Sequence, residues 1–211
     1  MSGITASTAL WYASRATGVI SLVLLSAVVV LGIVVNRQGR LPGLPRFAVT
    51  GLHRNLSLFA VLFLAVHVLT AVADSYVSVS LAATIIPFVS SYEPFWLGLG
   101  AVSLDLLAAV LVTSLVRSRI PRRAWRAVHW LSYGLYPVAV VHSIGSSADL
   151  QSGWLLALTV FCLTAVAAAA VWRLRRSITA VPRFRRVVSA LDDAAGGRAA
   201  GRQAAGQGRP R

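Results

Sequence analysis

Four histidines, His53, His67, His129 and His142, are all that the chain contains, and they fall in or beside apolar stretches as two widely spaced pairs. His53 and His67 are 14 residues apart, and His129 and His142 are 13 apart. At about 1.5 Å of rise per residue, either pair separates its imidazoles by roughly 20 Å along a helix axis. A neutral imidazole is a good iron ligand through one nitrogen, while the other seeks a hydrogen-bond acceptor. Two membrane helices carrying such pairs can therefore each supply one axial ligand to a haem near either face of a bilayer. Two histidines per iron leave no open position for substrate, an arrangement suited to outer-sphere electron transfer. No side chain is then expected to be catalytic. Three other uses stay open: hydrogen bonds between helices, a transition metal bound without haem, and proton or cation movement.

The elements that must carry these residues are apolar. The chain has 211 residues, of which 57% are hydrophobic, and a mean hydropathy of +0.74. Its apolar runs approach the roughly 20 residues that cross a bilayer, and backbone hydrogen bonding in lipid demands helices there. The expected fold is all-α, a polytopic membrane bundle. Five spans are legible, at Leu10–Val35, Leu52–Ala73, Phe95–Val116, Trp125–Ser143 and Trp154–Trp172. The first is too long, and too poor in flanking basic residues, for a cleaved leader, so it reads as a retained helix. Residues 77–91 are apolar but hold Pro87 and several serines, which suits a short interfacial or re-entrant helix.

Formal charge is +14, and all 20 basic residues are arginine. Their placement in alternate loops points to membrane orientation, and no nucleic-acid-binding pattern accompanies them. Arg37, Arg40, Arg46 and Arg54 lie around the first joint; Arg117, Arg119, Arg122, Arg123 and Arg126 lie around the third; Arg173, Arg175 and Arg176 follow the last span. The intervening loops carry Asp74, Glu93 and Asp149. The positive-inside rule then places the chain in a plasma (inner) membrane with its N-terminus outside and its C-terminus cytoplasmic. The second and fourth spans run the same way, so His53 matches His129 in depth, and His67 matches His142.

Two domains are expected: residues 1–176 as the membrane unit, and residues 177–211 as a basic, disordered cytoplasmic tail able to contact anionic lipid. The single cysteine, Cys162, has no disulfide partner, and the absence of a C-x-x-C-H run excludes the usual covalent haem attachment. One geometric problem stands out. At 100° per residue a spacing of 13 leaves His142 about 140° from the face of His129, which predicts a distortion at Gly134 and Pro137.

The phrases GLHRNLSLFAVLFLAVH (Gly51–His67) and RAWRAVHWLSYGLYPVAVVH (Arg123–His142) resemble the ferric reductase-like transmembrane domain. Metalloreductases, NADPH oxidases and the haem-binding membrane subunit of bacterial methionine sulfoxide reductase systems share that domain. The resemblance spans most of residues 10–172. It implies a cytochrome b-type core with two non-covalent b haems, His53 pairing with His129 towards the cytoplasm and His67 with His142 towards the outside. It further implies an electron-transfer component of an oxidoreductase. Such a component would draw on a separate flavin-dependent reductase or a quinol and pass electrons to an extracytoplasmic acceptor. No Gly-rich dinucleotide fingerprint follows Arg176, and five spans are legible where the family usually has six. Arg15 is a candidate for an outer haem propionate or for pairing with Asp105, since an intramembrane charge needs a partner. Arg54 and Arg126 are candidates near inner propionates. Trp130 is a candidate for packing on a porphyrin or, equally, in the helical core.

Overall fold

A computed structural model describes residues 2–36, 45–74, 79–147 and 153–175. Those residues form helices and their joints. The expected positions of Arg37, Arg40, Asp149, Arg176 and the tail at 177–211 lie outside the described residues. The chain divides into two units, Met1–Ala167 and Ala168–Arg211. All four histidines belong to the first. In the second, residues 168–175 are helical.

The helices are α1 (Ser2–Asn36), α2 (Arg46–Ala73), α3 (Leu81–Ile85), α4 (Pro94–Leu115), α5 (Arg122–His129), α6 (Ser132–Ser146) and α7 (Gly153–Arg175). Four of them, α1, α2, α4 and α7, contain segments long and apolar enough to cross a membrane. This is a membrane protein, an all-helical bundle. Most of the apolar surface of these spans lies outside the packed core. Leu58, Phe59, Leu62 and Leu69 of α2, for example, are all exposed, as is expected of side chains that meet lipid rather than water.

Local chemistry sets several helix ends. Ser80 caps α3, its hydroxyl accepting from the backbone N–H of Ala83 at 3.2 Å. Pro94 opens α4, where its missing N–H costs no helical bond. Hydroxyls buried along the spans bond back to carbonyls one turn earlier, as Ser21 does to Thr17, Ser26 to Leu22 and Thr159 to Leu155. Such bonds satisfy polar groups that apolar surroundings would otherwise leave without partners.

The apolar stretch expected as a fourth continuous span is two helices. α5 ends at His129, and α6 begins at Ser132. The distortion predicted at Gly134 and Pro137 therefore lies earlier, at Trp130–Leu131, and α6 runs through Pro137. Pro137 crowds the carbonyl of Tyr133, and the joint directly N-terminal to that residue absorbs the bend. There the backbone bonds tighten to three-residue steps, Leu131 to Val128, Tyr133 to Trp130 and Gly134 to Leu131. Each residue wound this way turns about 20° further than in an α-helix. The tightened joint thus swings His142 back towards the face of His129.

Packing joins some helices closely and leaves others with little contact. α1 packs along α2 and also reaches α6, α4 packs along α6, and α3 and α5 rest on α4. α2 and α6, the helices that carry His67 and His142, have no comparable contact with each other.

Candidate functional site

The histidines fall into two couples by electrostatic proximity. His129 lies close enough to His53 to interact electrostatically with it, and His142 does the same with His67. The structure therefore brings together the residues that the depth argument paired, across the space between α2 and the α5–α6 arm. On α2 the two levels are 14 residues apart, about 20 Å at the helical rise.

Three of the four imidazoles are held from behind by a backbone carbonyl. His67 Nδ1 lies 2.7 Å from the carbonyl oxygen of Ser14, with the Ser14 hydroxyl 3.4 Å from the same nitrogen. His53 Nδ1 lies 3.1 Å from the carbonyl oxygen of Val28, and His142 Nδ1 lies 2.8 Å from that of Trp96. A carbonyl can only accept, so Nδ1 is the protonated nitrogen in each ring. The Nε2 lone pair is then free. Among the described residues no group hydrogen-bonds Nε2 of these three histidines.

His129 is set differently. Its Nδ1 is buried with no hydrogen-bond partner among the described residues. Its ring stacks on Trp125, one turn earlier in α5, with centroids 5.0 Å apart and planes inclined by 24°. Trp125 is itself tied to the end of α4, through Ser114 at 3.5 Å and the Arg117 guanidinium 5.4 Å from its ring centroid.

These donors suit an axially ligated haem. A neutral imidazole with Nδ1–H pinned by an acceptor presents Nε2 to a metal in a fixed orientation. The His67–His142 couple supplies two such rings and the His53–His129 couple one, and each couple would offer two imidazoles to a haem iron. Among the described residues no three His, Cys, Asp or Glu side chains gather as a metal site, so a metal held by protein ligands alone has no comparable seat there.

The arginine candidates separate. The Arg15 guanidinium lies 4.1 Å from the ring centroid of Trp11, four residues earlier in α1; Arg15 directly follows Ser14 and precedes Gly18 by three residues. Asp105 is exposed on α4, and the expected alternative of an Arg15–Asp105 ion pair is not formed among the described residues. Arg54 and Arg126 are both exposed, on the helices that carry His53 and His129. Trp130 is 56% exposed and tilts against Tyr133, with centroids 5.5 Å apart.

Sequence reasoning missed the glycines. Gly18, Gly32 and Gly100 lie against His67, His53 and His142 respectively. A signal for two of them was present, because Gly18 and Gly32 repeat on α1 the 14-residue spacing of His53 and His67.

Comparison with known proteins yields one family. The model described as "Ferric reductase like transmembrane component" matches residues 17–140. The match takes in His53, His67 and His129 and stops two residues before His142. No curated protein and no solved structure matches the chain.

Proposed function

The chain belongs to the ferric reductase-like transmembrane component family, and from that premise we propose that it carries electrons across a membrane through two b-type haems. His53 with His129 would hold one haem, and His67 with His142 the other. The observation that carries this reading is the pairing of two imidazole couples across helices that do not pack together. Three of the rings have Nδ1 already committed to a carbonyl.

A haem bound at either level supplies one-electron exchange between ferric and ferrous iron. The chain's own contribution is to fix the ligands, set their spacing and exclude water with apolar helices. Arg54 and Arg126, exposed on the helices that carry His53 and His129, would pair with propionates at that level, where the N–H groups of a guanidinium match a carboxylate. Arg15, the residue after Ser14, would do so at the other level.

The arginine distribution supports an orientation with the His53–His129 level towards the cytoplasm. Electrons would then arrive from a quinol or a separate flavoprotein and leave to an extracytoplasmic acceptor. Ferric iron or a periplasmic oxidoreductase would serve as that acceptor, in the manner of the methionine sulfoxide reductase systems.

Purified protein should show reduced b-type absorption at two haems per chain. His67→Ala and His142→Ala should each remove the same component, and His53→Ala and His129→Ala the other. Protein that takes up no haem with all four histidines intact would sink the proposal. Loss of the His53–His129 component from His142→Ala would overturn the pairing.

A further inference from the structure

We propose that Gly18, Gly32 and Gly100 are positioning residues that select the coordinating nitrogen of His67, His53 and His142. The inference rests on the two-haem reading above and adds to it a reason for the ligand geometry. The same relation occurs three times, on two different helix pairs. In each case the imidazole donates to the carbonyl of a residue on the facing helix, and a glycine stands four residues later on that helix. Ser14 precedes Gly18, Val28 precedes Gly32, and Trp96 precedes Gly100.

Helix geometry explains the interval of four. The Cα–Cβ bond of a helical residue tilts towards the N-terminus, so its side chain covers the turn before it. The carbonyl of residue n is therefore shielded by the side chain at n+4. A glycine there removes the shield and lets that carbonyl, already bonded along its own helix, accept a further donor. A Cβ at Gly100 would stand 2.8 Å from His142 Cε1 and 3.0 Å from its Nδ1. One at Gly18 would stand 3.0 Å from both Cε1 and Nδ1 of His67, and one at Gly32 would stand 3.3 Å from His53 Cε1. A methyl group at Gly18 or Gly100 would crowd the ring away from its carbonyl, and one at Gly32 would shift the ring by a few tenths of an ångström.

Two glycines give the contrast, while Gly98 and Gly145 are crowded by Phe88 and Trp96 rather than by a histidine. A Cβ at Gly51 or Gly134 would meet nothing within 4 Å, although both belong to the histidine-bearing helices. His129 has a Trp125 ring in place of a glycine-backed carbonyl. The seats are therefore unequal: two at the His67–His142 level and one at the His53–His129 level.

The test is a set of alanine substitutions read by reduced absorption and by the low-spin haem signals in electron paramagnetic resonance. Gly100→Ala and Gly18→Ala should weaken retention of the His67–His142 haem roughly tenfold, the scale of overpacking in a tight site. Both should also move its low-spin signal while the second haem in the same molecule stays unchanged and reports an intact fold. Gly32→Ala should produce a smaller change confined to the other haem. Gly51→Ala and Gly134→Ala should match the parent protein. Unaltered signals in Gly18→Ala and Gly100→Ala would overturn the proposal, as would equal loss of both haems in either variant. Protein without any haem would defeat the two-haem reading and leave a separate arm. Nitrogen magnetic resonance of labelled histidine in haem-free protein should then show a protonated Nδ1 at His142 that Gly100→Ala abolishes. The same tautomer in both proteins would overturn the positioning role.

Discussion

The hydroxyls of Ser26 and Tyr136 meet at 3.1 Å, joining α1 to α6 at a depth between the two histidine levels. Both residues are buried. Ser26 also donates to the carbonyl of Leu22 at 2.7 Å, so its hydrogen is committed and the Tyr136 O–H is the donor in the pair. This contact fixes the height of α6 against α1, and α1 in turn carries the carbonyls that hold both histidines of α2.

Replacing Tyr136 with Phe should remove one buried hydrogen bond and lower stability by about 1 kcal/mol. Both haems should stay bound, because neither level uses the phenol. Thermal denaturation of the haem-loaded protein in detergent would measure the loss. A release of either haem at ambient temperature would show that the contact does more than brace the helices.

His129 depends on Trp125 rather than on a carbonyl. Trp125→Ala should weaken the His53–His129 haem by the value of an aromatic contact, about 0.5–1.5 kcal/mol, or roughly 2- to 12-fold in retention. Trp125→Phe should restore most of it. Haem dissociation to an excess of a soluble acceptor, followed separately for the two absorption components, provides the measurement.

Histidines that share an iron should not act independently. The double replacement His67→Ala with His142→Ala should cost the His67–His142 haem no more than either single change, the non-additivity expected of partners in one site. Haem-to-protein ratios for the two single variants and the double variant test this. A further loss in the double variant would show that each histidine serves a different haem.

One alanine inserted between Trp130 and Leu131 should turn α6 by about 100° relative to α5. His142 would leave its carbonyl while His129 kept its stack on Trp125. The expected spectrum retains the His53–His129 component and loses the other. Retention of both components would mean that the joint is slack and does not set the direction of His142.

Asp105 lies in the middle of α4 and is exposed, so in a bilayer its carboxylate carries a cost of about 2.5–3.5 kcal/mol on insertion scales. Asp105→Leu should raise the yield of membrane-inserted protein and leave both haem signals intact. Quantified membrane fractions, together with the reduced spectrum, would check both halves. A lost haem component would place Asp105 in the machinery after all.

Much of this protein was legible one residue at a time. Apolar length marks the spans because every backbone polar group in lipid must be satisfied within a helix, and that rule needs no tertiary information. The matched depths of His53 with His129 and His67 with His142 follow from counting along parallel spans. Direction around a helix axis is another matter. His142 is aimed by a joint at Trp130–Leu131, whose tightened turns lie between α5 and an α6 that packs along α4. The partners of Nδ1 were equally hidden, because the carbonyls of Ser14, Val28 and Trp96 belong to a backbone that every residue has. Only the packing of α1 on α2 and of α4 on α6 brought those oxygens to the rings, and only a missing Cβ let them approach.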